Sequence, residues 1–210
     1  MPTLDRNDLD NLYRQSQRDR GKHAEQWRRV AESDIGLLSS WMTSVPLSDD
    51  CALFEVYEGV ARCDPLPVTF FLSELDRLLA MAEREPRNAH LYSELTAFAF
   101  LDGKPPAMLQ EQIRARLVAA LESRVPQVRR CAASLLGDFL PERIDASHVA
   151  LRERLVADAD WRVRFLAHQS LTHFQKDFPG SAAEPVPELS FVDRIRINLL
   201  GEHRAREIAA

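Results

Sequence analysis

Two twelve-residue segments of this chain share one pattern, VRRCAASLLGDF at 128–139 and VRFLAHQSLTHF at 163–174. Val128 aligns with Val163, Arg129 with Arg164, Ala132 with Ala167, Leu136 with Leu171 and Phe139 with Phe174, all at an offset of 35 residues. Just upstream, Leu117 and Leu121 align with Leu151 and Leu155 at an offset of 34, and one extra residue in the turn at 159–160 accounts for the difference. A helix, a tight turn and a second helix, repeated every 34–35 residues, is the signature of a helical solenoid. One helix pair cannot bury both of its apolar stripes, whereas stacked pairs share a continuous core with capping helices at the ends.

Helical periodicity extends well beyond this repeat. Trp27, Ala31, Ile35, Leu38 and Met42 form one stripe, with Gly36 a weak point inside it. Leu53, Val56, Tyr57 and Val60 share a second face, and Phe71, Leu75, Leu78, Leu79 and Ala82 a third. Leu91, Leu95 and Phe98 mark a further helix, preceded by Asn88 as a cap. Prolines punctuate the joints; Pro126 sits where a first-turn proline is tolerated and Asp145 where a helix N-cap belongs. The expected fold is all-α, a right-handed α-solenoid of antiparallel helix pairs with about nine helices. Residues 1–20 are a polar segment, loosely ordered at its start; 21–178 form the solenoid; 179–188 (PGSAAEPVPE) are a linker. Residues 189–208, with Phe191, Val192, Ile195 and Leu199 on one side, form a C-terminal capping helix that folds back over the last pair.

Charge narrows the function classes. The net charge is -5, and residues 31–110 carry five basic and thirteen acidic side chains, whereas 111–165 carry ten basic side chains, every one Arg, against eight acidic. An acidic chain is a poor partner for nucleic acid, whose binding draws on clustered cations. The three cysteines (Cys51, Cys63, Cys131) show no C-x-x-C spacing, which argues against a disulfide framework or a zinc site and fits a reducing cytoplasm. The start, MPTLDRNDLDNLY, has no apolar core of a secretory leader, and no apolar run reaches the roughly 20 residues a bilayer span needs.

The repeat also carries a sequence resemblance. Asp160-x-x-Val163-Arg164-x-x-Ala167-x-x-x-Leu171, and the copy Pro126-x-Val128-Arg129-x-x-Ala132-x-x-x-Leu136, resemble the HEAT family, including its bilin-lyase-type HEAT-like repeats. The resemblance covers about residues 107–175. It implies a structural role for Arg129 and Arg164, each reaching an acidic turn residue, with Asp160 as a possible partner. The small Ala132 and Ala167 stand where helices approach closely.

No sequence motif for a phosphate loop, nucleophile elbow or zinc protease is present. His90 and Glu94, four apart on one helix, have ligand spacing but lack a third ligand and read as a polar face. Asp49 and Asp50 read as helix-start acids, and the cysteines as small buried hydrophobes. Arg114, Arg124, Arg143, Arg152 and Arg154 read either as solvated, carboxylate-paired faces or as a surface for an acidic partner. Trp161 reads as a helix-start residue covering the turn.

In solenoids of the family resembled, the second helix of each pair lines the concave face. The positions expected there, between core positions, are Arg130, Ser134, Phe165, His168, Gln169 and Thr172. An exposed Phe beside Arg and His would suit a protein or peptide partner. The expectation is a non-catalytic adaptor or regulatory module that needs no cofactor or metal and is not an enzyme. Two alternatives follow from the resemblance alone. One is a HEAT-like DNA glycosylase, which would need a basic groove with a carboxylate. The other is a chromophore lyase-type maturation factor.

Overall fold

The computed structural model describes residues 4–45, 52–85, 106–181 and 184–209. Every regular element among them is an α-helix. There are ten: α1 (Arg6–Arg18), α2 (Ala24–Met42), α3 (Ala52–Ala61), α4 (Val68–Arg84), α5 (Ala107–Ala120), α6 (Pro126–Asp138), α7 (Ala146–Ala157), α8 (Trp161–Asp177), α9 (Phe191–Leu200) and α10 (Glu202–Ala209). The expected helix through Leu91, Leu95 and Phe98 lies outside the described residues, as do Asp49, Asp50, Cys51, His90 and Glu94. The chain divides into two compact units, residues 1–80 with 89–109, and 81–88 with 110–210.

In the first unit, the polar start of the chain is a helix rather than a loose segment. Asp5 caps α1 through a capping box with Asp8, and Leu9, Tyr13 and Ser16 are buried. The reason is tryptophan: the Trp27 indole donates to Ser16 Oγ (3.0 Å) and the Trp41 indole to Asp10 Oδ1 (2.7 Å). Both indoles thus bury their rings while their N–H groups stay paired. The break in α2 falls at Asp34, whose backbone is non-helical, and not at Gly36. The Asp34 carboxylate accepts from the backbone N–H of Leu37 at 2.8 Å and restarts the helix. Leu53, Val56, Tyr57 and Val60 are all buried as their spacing predicts. Glu55, also buried, accepts hydrogen bonds from the backbone N–H groups of Gly21 and His23, tying the α1–α2 turn to α3.

In the second unit, residues related by the repeat occupy equivalent places. Val128 and Val163, Ala132 and Ala167, Leu136 and Leu171, and Phe139 and Phe174 are all buried, as are Leu117, Leu121, Leu151 and Leu155. Pro126 opens α6, and Asp145 caps α7. Helices α6 and α8 pack directly on each other. They approach closely at Gly137, where an added Cβ would lie 2.5 Å from Ser170 Oγ. That hydroxyl donates across the interface to Ala133 O at 2.9 Å.

Two arginines repeat one bonding pattern. Arg129 grips Asp158 with Nε (2.7 Å) and Nη2 (2.9 Å) and donates from Nη1 to Ser123 O. Arg164 grips Asp193 with Nε and Nη2, both at 2.8 Å, and donates from Nη1 to Asp158 O. The acceptors 123, 158 and 193 are spaced by 35, as the arginines are. The partner is therefore Asp158 or Asp193, not Asp160. Asp160 is taken by its own helix: it caps α8 and binds Arg162 through Nε (3.0 Å) and Nη2 (2.9 Å).

Candidate functional site

The six expected contact residues differ widely in access. Only Thr172 is exposed; Ser134, His168 and Gln169 are half-buried. Arg130 and Phe165, expected on an open face, are buried at 9% and 3% exposure. Around Phe165 the C-terminal segment covers the face, with α10 packed on α8, whereas Arg130 lies beside Asp160 at the start of α8. The Gln169 side-chain amide lies against Arg206 of α10, and with its oxygen turned toward the guanidinium it accepts from Nε at 2.7 Å. Between these helices a cavity of about 460 Å³ is lined by Phe165, His168, Gln169 and Thr172, with Leu189 and Ile197 opposite. Four of the six residues thus converge, but beneath the chain's own C-terminus. Burial pushes the His168 pKa down, which leaves the ring neutral near pH 7.

The capping segment itself departs from expectation in two ways. It is two helices, broken at Gly201, whose φ of 78° is the left-handed conformation that favours glycine. And α9 turns its apolar side outward. Phe191, Val192, Ile195 and Leu199 are exposed at 69%, 62%, 43% and 83%. At 100° per residue these four lie within about 100° of arc. The opposite side, with Asp193 fully buried, faces the molecule. Ser190 caps α9 and also donates to Asp193 Oδ2 at 2.8 Å. A buried carboxylate requires its guanidinium, so the Arg164 bond, and not the apolar stripe, sets how α9 is rotated. Arg194 pairs with Glu188 (2.9 Å), while Arg196 lies over the Trp161 ring at 5.2 Å.

No match to this chain is found among protein-family models, curated proteins or solved structures.

The other candidate residues divide as follows. Arg114 reaches Asp145, Arg152 binds Glu184 and Arg154 binds Glu122, so these three are carboxylate-paired. Arg152 also donates to the Glu184 and Pro185 carbonyls, and Gln175 to Glu184 O, which pins the linker against α7 and α8. Beneath it is a cavity of about 520 Å³, walled by Ile144, Val149, Leu171, Phe174 and Val186, that no sequence pattern indicated. It forms because the linker passes over exposed apolar positions of α7, a contact between segments with no shared periodicity. Burial pushes the Cys131 thiol up to about 12. Cys63 is only half-buried, with its pKa also raised, first by burial. Among the described residues no group of three or more His, Cys, Asp or Glu side chains is placed to hold a metal ion, and no helix is long and apolar enough to cross a membrane.

Proposed function

We propose that this chain is a non-catalytic protein-binding module built of HEAT-like helix pairs in a short solenoid, and that a partner docks on the outward face of α9. The observation that carries this reading is the stripe Phe191–Val192–Ile195–Leu199, with its four adjacent large apolar side chains in solvent. Contiguous exposed apolar surface on a water-soluble fold marks an interaction site, because burying it releases roughly 25 cal/mol per Å². A helix offering such a stripe suits recognition in helix-to-groove or helix-to-helix mode. The 35-residue spacing of both the Arg–Asp pairs and the buried core positions supports the repeat architecture. It also supports the HEAT-like resemblance, in which the paired arginines serve the fold and leave binding to other residues.

The docking surface differs from the α8 face inferred from sequence, since Arg130 and Phe165 have too little access to serve as its centre. The test is affinity purification of the full chain followed by mass spectrometry, repeated with Phe191→Glu and Leu199→Glu. The expected result is one specific partner, lost with both variants while the circular-dichroism melt stays unchanged. A partner retained at equal affinity by both variants would refute the assignment of the surface.

A further inference from the structure

The cavity between α8 and the C-terminal helices has an apolar floor and a cationic rim. Phe165, Leu189 and Ile197 supply the floor; the first two are buried and the third is half-buried. Among the described residues, the rim carries Lys176, Arg194 and Arg206 against one carboxylate, Glu202, in a chain whose net charge is -5. Two of these cations are already matched: Arg194 pairs with Glu188 at 2.9 Å and Arg206 with Glu202 at 2.8 Å. Lys176 pairs with no carboxylate among the described residues. The cavity meets water, since Thr172, His173, Lys176 and Asn198, all along its wall, are exposed. His168 stands half-buried on the α8 side with no hydrogen bond to another described residue. Its neutral ring therefore keeps one N–H donor for a ligand oxygen.

We infer that this cavity binds a small amphipathic monocarboxylate, whose hydrocarbon body lies on Phe165, Leu189 and Ile197 and whose carboxylate meets Lys176. At about 460 Å³ the space falls in the range of roughly 300–1,000 Å³ usual for small-molecule sites, which join apolar walls to a few polar groups. Removing the hydrocarbon from water supplies the affinity, and the unmatched cation sets the orientation. A single negative charge is favoured for two reasons. One rim cation lacks a counter-charge, and the acidic balance of the whole chain repels a polyanion at long range. Ile197 lies on the side of α9 opposite the exposed stripe, so the site is independent of the docking surface proposed there.

The test titrates octanoate into the full chain, with acetate and octanol in parallel series at constant ionic strength. Octanoate is expected to shift the His168 ring signals in nitrogen–proton NMR spectra saturably and to raise the melting temperature. Acetate, which lacks the hydrocarbon, and octanol, which lacks the charge, are expected to bind more weakly. Lys176→Glu is expected to weaken octanoate binding by about fivefold, the upper range for an exposed ion pair. Thr172→Trp fills the cavity from an exposed position. It is expected to abolish the shift while the circular-dichroism melt of the ligand-free chain stays unchanged. Absence of a saturable shift in the unmodified chain would overturn the site, as would an undiminished response in Thr172→Trp. Octanol or acetate binding as tightly as octanoate, or an unchanged affinity in Lys176→Glu, would overturn the assignment of an amphipathic carboxylate. Because octanoate needs no protein partner, failure here is separable from failure of the α9 docking surface.

Discussion

Arg164 holds Asp193 in a two-armed ion pair, both arms at 2.8 Å, and the carboxylate it holds is wholly shut off from solvent. The pair joins α8 to α9 and fixes which side of α9 is buried. Asp193→Asn leaves the shape and removes the charge. Loss of one partner of a buried pair costs about 3–5 kcal/mol; with Arg164 one-fifth exposed, about 3 kcal/mol is expected. A urea unfolding series, with Arg164→Met and the double variant completing a mutant cycle, checks it.

Acid should unfold the second unit through the same pairs. Burial alone would raise the pKa values of Asp145, Asp160 and Asp193. Hydrogen bonds outweigh it: from His148 and Ser147 for Asp145, from Arg162 for Asp160, and from Arg164 and Ser190 for Asp193. All three are held below the usual carboxylate range. A depressed folded-state pKa contributes stability that is complete above the unfolded value of about 3.9 and is lost as pH falls through the folded value. Stability is therefore expected to hold from neutrality down to about pH 4 and to fall steeply below it. The fall should be shallower in Asp193→Asn, as read from melting temperature against pH.

Gly137→Ala should destabilise although alanine is the better helix former. The propensity gain is about 1 kcal/mol, but the new Cβ would lie 2.5 Å from Ser170 Oγ and 2.7 Å from its Cβ. Overpacking of this kind costs about 1–3 kcal/mol. Ser170→Gly in the same chain should recover part of the loss, which chemical denaturation of the two variants will show.

Cys131 should resist thiol reagents. With its pKa pushed up to about 12 and its side chain buried, almost no thiolate exists at pH 8. In a chain carrying Cys51→Ser and Cys63→Ser, the remaining thiol is expected to react with Ellman's reagent only after urea is added. Rapid reaction of the folded protein would contradict the packing of α6.

The two apolar stripes of the second unit should respond in opposite ways to truncation. Leu136→Ala removes a fully buried side chain and should cost about 2–5 kcal/mol. Leu199→Ala removes one that is 83% exposed and should change stability by less than about 0.5 kcal/mol. Equal losses in urea midpoints would mean that α9 buries its apolar side after all.

Much of the helical content was legible in the residues themselves. Spacings of three and four placed Leu53–Val56–Val60 and Leu117–Leu121 on buried faces, because a helix returns to the same side every 3.6 residues. Proline at 126 and aspartate at 145 declared helix starts through local chemistry that needs no distant partner. The 35-residue offset predicts that Val128 and Val163 share an environment, since matching apolar positions bury matching faces.

What only the tertiary structure decided is which faces meet. The resemblance implies acidic turn partners for the two arginines, with Asp160 as a possible one; the carboxylates they hold are Asp158 and Asp193, each 29 residues further on, a choice that only packing makes. The α9 stripe looked like a cap for the last pair, and hydrophobicity alone would bury it. The opposite side of α9 carries Asp193, fully buried in its two-armed pair with Arg164, so the orientation that makes this pair leaves the apolar stripe in solvent.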